Sequence, residues 1–102
     1  MFFSRYEVRP APRSEHFATV GGAYANCLVV AASAAQAQAA AMRNFAVHEW
    51  EVVTVEQAPT LAARDNSFDA EWPEWYDTAL RHGACYVYFE WPPEAQEDDR
   101  LH

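Results

Sequence analysis

The chain predicts an α+β fold: a two-layer sandwich with a mainly antiparallel sheet and two helices on one face, ferredoxin-like or a variant of it with an added N-terminal strand. Three observations lead there. An apolar run from Ala23 passes into an alanine-rich helical segment and then into the alternating run "EWEVVTVEQA", a strand-helix-strand order. A second helical segment closes on Gly83 and passes directly into "ACYVYFEW". Apolar types make up 51% of the 102 residues, enough for one core and too short a chain for two ordinary domains. Residues 1–93 therefore read as one domain and residues 94–102 as an acidic C-terminal tail.

"FFSRYEVRP" reads as an opening strand from Phe2 to Val8, stopped by Pro10 and Pro12. "HFATV" reads as a second extended stretch, meeting Gly21 and Gly22, a pair suited to the positive φ of a hairpin turn. A central strand over 24–31 follows, apolar on both sides after Asn26 and so covered by helix on at least one of them. Ser33 and Gln36 form a capping box for a helix over 34–45. Ala34, Ala35, Ala37, Ala41 and Ala46 suit its sheet side, with Gln36, Gln38, Arg43 and Asn44 toward solvent. An alanine face brings helix and sheet close, leaving the layer to large sheet residues such as Tyr24 or Trp50.

Residues 50–57 alternate as a strand, with Trp50, Val52, Thr54 and Glu56 on one face. The segment 59–68 has no readable period: Thr60 to Ala63 suits a short edge strand or a helical turn, and Asp65, Asn66 and Ser67 signal a loop. Pro73 and Glu74 mark the first turn of a helix over 72–82, and Gly83 suits its left-handed stop. A closing strand over 84–91 is ended by Pro92 and Pro93.

Charge is unevenly spread within a net −8. Residues 1–48 hold four arginines and two glutamates, residues 49–102 three arginines and thirteen acids, and lysine is absent throughout. A phosphate-tracking surface needs clustered cations, so nucleic acid is excluded as a partner, and a basic protein is the partner that this charge would steer. No apolar run approaches the roughly 20 residues of a membrane span. Arg5, Glu7 and Arg9 interrupt any leader-like segment, so no membrane association and a cytoplasmic location are expected. Cys27 and Cys85 are expected as buried thiols in adjacent strands.

Chemical motifs are sparse. "HEWE" at His48 to Glu51 lacks the second histidine of a zinc-protease helix, since position 52 is valine. Cys27, His48, His82 and Cys85 form a zinc set only if four separate elements converge, so no metal and no cofactor are expected. A thiol nucleophile would need Cys27 or Cys85 beside His82 with Asp77 orienting it, yet apolar strands disfavour the thiolate. No serine elbow or phosphate loop is present.

Four tryptophans, five tyrosines and six phenylalanines exceed what a small core readily encloses. The expected role is therefore a non-catalytic binding or regulatory module acting through protein-protein contact. Its ligand or interface candidates are Trp72, Glu71, Trp75, Glu74, Tyr86, Tyr88 and Trp91. A homodimer formed by sheet-to-sheet contact would hide the apolar surplus. The alternative is a small-molecule-binding domain or small enzyme with a pocket near helix 72–82, built from cysteine, histidine and carboxylate groups.

Overall fold

A computed structural model describes residues 1–65 and 69–93. The acidic tail expected over 94–102 and the loop signals Asn66 and Ser67 lie outside the described residues. The elements are β1 (Phe2–Pro10), β2 (Gly22–Val29), α1 (Ala34–Val47), β3 (Trp50–Leu61), α2 (Trp72–His82) and β4 (Ala84–Trp91). They form a mixed α+β fold whose four-stranded sheet has the order β3-β1-β2-β4, antiparallel at every pairing. Because β2 and β3 each run antiparallel to β1, they are parallel to one another, and α1 joins them across it. This split β-α-β arrangement is consistent with a ferredoxin-like topology. The N-terminal strand, expected as an addition to a core beginning at Ala23, fills the central slot.

The two helices do not share a face. Ala23, Ala25, Cys27 and Val29 of β2 pack with Tyr6 and Val8 of β1 against Ala37, Ala41 and Phe45 of α1. The opposite parity, Leu28 of β2 with Phe3 of β1, packs against Trp72, Trp75 and Ala79 of α2. Side chains alternate across a strand, so α1 and α2 cover opposite faces. β2 is covered by α1 along one face and by α2 at Leu28 on the other, where Tyr24 and Asn26 meet Arg5 instead, so α2 takes up part of the surplus that suggested sheet-to-sheet contact.

Local chemistry explains the helix ends. Ser33 Oγ accepts from the Gln36 amide at 3.2 Å, and Gln36 Oε1 accepts from the Ala32 amide at 3.2 Å, completing a box shifted by one residue on its return arm. Only Ala37 and Ala41 of the five expected alanines are buried; Ala34, Ala35 and Ala46 face solvent. The helix contacts the sheet through a stripe that widens into Phe45, so alanines off that stripe serve propensity alone. In α2, Asp69 Oδ1 accepts from the Glu71 amide at 2.8 Å. Gly83 ends the helix at φ 90°, its amide donating to Ala79 at 2.7 Å.

The β1–β2 connection departs from the expected hairpin. "HFATV" is not a strand but a series of turns, with the Thr19 and Val20 amides both donating to the His16 carbonyl at 3.1 and 2.9 Å. Gly21 and Gly22 do not take positive φ. They are needed for close approach: a Cβ on Gly21 would lie 2.4 Å from the Pro92 carbonyl oxygen, and one on Gly22 would lie 2.6 Å from the Trp91 ring.

The sheet's two edges differ. β4 pairs with β2 in unbroken register from Gly22↔Trp91 to Val29↔Ala84. β3 runs to Leu61, four residues beyond expectation, and its register against β1 shifts three times, between Phe3 and Arg5, Arg5 and Tyr6, and Glu7 and Val8. Each shift puts an extra residue in β3, so the face alternation expected over 50–57 is broken. Val52, Val53 and Val55 are exposed. No helix among the described residues is long and apolar enough to cross a membrane.

Candidate functional site

A cleft of about 430 Å³ opens on the α1 face, lined by His16, Asn44, His48, Trp50, Tyr86, Tyr88 and Glu90. Four elements build it. The turns after β1 place His16, whose amide donates to Ser14 Oγ at 3.1 Å. α1 contributes Asn44 and ends at His48, whose amide donates to the Asn44 carbonyl at 3.1 Å. Glu49 follows at φ 62°, the only non-glycine residue with positive φ among those described. That left-handed step lets His48 finish the helix and Trp50 begin β3 on the same wall. It is held by the Ala11 amide, 2.8 Å from the Glu49 carbonyl, and by Arg13, 3.2 Å from the Glu49 carboxylate.

β4 supplies Tyr86, Tyr88 and Glu90, the parity that faces α1. Tyr88 stacks on Trp50 with centroids 5.2 Å apart and planes 15° apart. Its hydroxyl accepts from Asn44 Nδ2 at 2.9 Å, leaving its own proton free to donate into the cleft. Burial pushes both Tyr86 and Tyr88 above the ordinary phenol range, so both stay neutral donors well into alkaline solution. Glu90 is exposed and makes no ion pair among the described residues. No hydrogen bond among the described residues joins either imidazole ring to a carboxylate, so the cleft holds no preformed acid-base pair.

Behind Tyr86 lies a polar seam in the core. Cys27 is fully buried, and burial pushes its thiol up to about 12. Tyr6 is also fully buried, its hydroxyl lacking a hydrogen-bond partner; the nearby Ser4 hydroxyl offsets part of burial's effect on Tyr6 and Cys27 without closing a bond to the phenol. Both thiols are free. Cys27 faces α1 and Cys85 faces α2, so the sheet separates them. Burial and Glu74 raise the Cys85 thiol as well.

The expected site residues are distributed rather than assembled. Tyr86 and Tyr88 line the cleft. Trp72 and Trp75 belong to the α2 core, where the Trp72 indole donates to the Ala63 carbonyl at 3.1 Å. Glu71 and Glu74 are exposed at the start of α2, and Trp91 packs on Tyr24 at the far end of β4. Asp77 is held by Arg64 in a two-bond pair at 2.9 and 3.0 Å, which keeps its carboxyl below the usual range and away from any role with His82. The residues weighed as a zinc set are split between the two faces, and no cluster of three metal-ligating side chains occurs among the described residues. Sequence reasoning named Trp50 and His48 separately, but His16, Asn44 and Glu90 carried no local signal. They meet only through the order β3-β1-β2-β4 and the short turn at Glu49.

Comparison with protein-family models, curated proteins and solved structures finds no match.

Proposed function

We propose that this chain is a small non-catalytic binding module that acts through protein-protein contact, its partner a second copy joined at β4. The observation that carries this reading is the contrast between the sheet edges. β3 is guarded by three register shifts and by Pro59, devices that discourage further strand pairing. β4 has neither. The Val30 amide donates to the Gly83 carbonyl at 2.9 Å and the Gly21 amide to the Trp91 carbonyl at 2.7 Å, so the odd-numbered residues of β4 bond inward. Ala84, Tyr86, Tyr88 and Glu90 then turn their amide and carbonyl groups outward.

The edge is self-complementary. Antiparallel pairing about Val87 sets Tyr86 opposite Tyr88 of the second copy and Ala84 opposite its Glu90. The two Glu90 carboxylates then stand at opposite ends of the ladder, about 20 Å apart, where they are largely screened. Sedimentation equilibrium at physiological salt, combined with residue-resolved amide exchange, tests the pairing. A dimer at tens of micromolar with concentration-dependent protection of the Tyr86 and Tyr88 amides supports it. An 11.6 kDa species throughout, or a dimer in which these amides exchange freely, overturns it.

A second reading, a small-molecule-binding domain, is favoured by one observation: the walled cleft beside Trp50 and Tyr88. It shifts the expected pocket from α2 to the end of α1.

A further inference from the structure

We propose that the cleft between α1 and β4 binds a small organic cation of the alkylammonium type. The proposal rests on the small-molecule reading above; it uses the β4 side chains that face α1, whereas pairing at β4 uses the outward backbone groups of the same residues. Its wall combines three aromatic rings, Trp50, Tyr86 and Tyr88, with one carboxylate, Glu90, and carries neither arginine nor lysine. Aromatic faces attract a cation through their quadrupole, and a carboxylate adds direct charge complementarity. The same wall disfavours anions because Glu90 repels them, and none of its lining residues is an arginine or lysine, although the Arg43 guanidinium behind it acts on Tyr86.

The groups are held in place before any ligand arrives. The Trp50–Tyr88 stack fixes both ring planes, and Asn44 fixes the Tyr88 hydroxyl at 2.9 Å. Glu90 has no competing cation among the described residues, so its charge is available to a ligand. Arg43 lines a separate cleft of about 280 Å³ with Gln36, Ala39 and Ala40, and its charge is felt in this one at Tyr86, away from Glu90's side of the ligand. A volume of about 430 Å³ admits a compact alkylammonium head with a short polar substituent. The Tyr88 proton and the imidazoles of His16 and His48 are placed to hydrogen-bond that substituent. The net charge of −8 steers cations toward the molecule as a whole.

The test is calorimetric titration of the full chain with choline chloride, set against 3,3-dimethylbutan-1-ol, a neutral molecule of the same shape. Choline is expected to bind at least about tenfold more tightly than the neutral alcohol, the preference expected of combined cation–π and carboxylate attraction. Glu90→Gln should weaken choline by at least about fivefold while leaving the alcohol unchanged. Trp50→Phe, checked for folding by circular dichroism, should weaken choline by about threefold or more. Equal binding of choline and the alcohol overturns the cation assignment and leaves the small-molecule reading standing. Saturation by neither at tens of millimolar overturns both, and choline binding that Glu90→Gln leaves untouched removes this cleft as the site.

Discussion

Trp50 and Tyr88 stack at 5.2 Å although they belong to the two opposite edges of the sheet. The strands between them present Val8, Ala23 and Ala25 on that face, all fully buried, and these short side chains leave a trough over which the rings meet. The stack therefore ties one edge of the sheet to the other. A double-mutant cycle with Trp50→Ala and Tyr88→Ala should give a coupling of about 0.5–1.5 kcal/mol in urea unfolding. Additive losses would show that the rings touch without mutual stabilisation.

Close approach of α1 depends on Ala41, which is fully buried over the same layer as Tyr6 and Phe45. Ala41→Leu adds volume to a fully buried position and should destabilise by roughly 1–3 kcal/mol. Ala39→Leu, on the exposed side, should change the unfolding midpoint little, so the pair of variants separates packing from helix propensity.

The Tyr6 hydroxyl is buried without a hydrogen-bond partner, while its ring packs edge-on against Phe45 at 5.4 Å. Tyr6→Phe keeps the ring and removes the unpaired oxygen. Stability should be unchanged or rise by up to about 1 kcal/mol. A loss of that size in chemical denaturation would show that the hydroxyl is satisfied in solution.

Alkaline pH should unfold the protein through its buried acids. Burial raises the Cys27 thiol from 9.0 to about 12, and it raises Tyr6, Tyr86 and Tyr88 in the same direction. Below the thiol's ordinary value both folded and unfolded chains hold the proton, and the contribution is fully present. Above it the unfolded chain ionises first, so stability declines as pH rises and the contribution is lost through about pH 12. Urea midpoints should be flat near neutrality and fall progressively above about pH 9, with a shallower fall in Cys27→Ala. A midpoint constant to pH 11 would contradict the burial of these groups.

Much of the fold was legible because its signals are local. The Ser33–Gln36 box, the start of α2 at Trp72 and its stop at Gly83, and the span of β4 all lie within a few residues of their cause. The pair Gly21–Gly22 misled because glycine serves two purposes, and the one at work here depends on Pro92 and Trp91, some 70 residues away. The faces of the helices were unreadable for a similar reason. β2 is apolar on both sides after Asn26, so its pattern fits one helix above it as well as one on each side. The bulges of β3 leave no trace in a sequence that alternates cleanly. Of the cleft, Tyr86 and Tyr88 stand among the ligand or interface candidates, but their joining to His16 and His48 is a property of the strand order.

On the pairing proposed at β4, the unequal edges of the sheet would give the molecule a valence of one. A sheet with two competent edges can add chains without end, as fibres do, whereas here a second chain meeting β4 consumes the competent edge of each. The joined sheet, twice four strands, is then flanked on both sides by β3, whose bulges and Pro59 refuse further addition. On that pairing, termination would be written into backbone geometry rather than into repulsion between acidic side chains, and assembly would stop at two even in salt strong enough to silence the net charge.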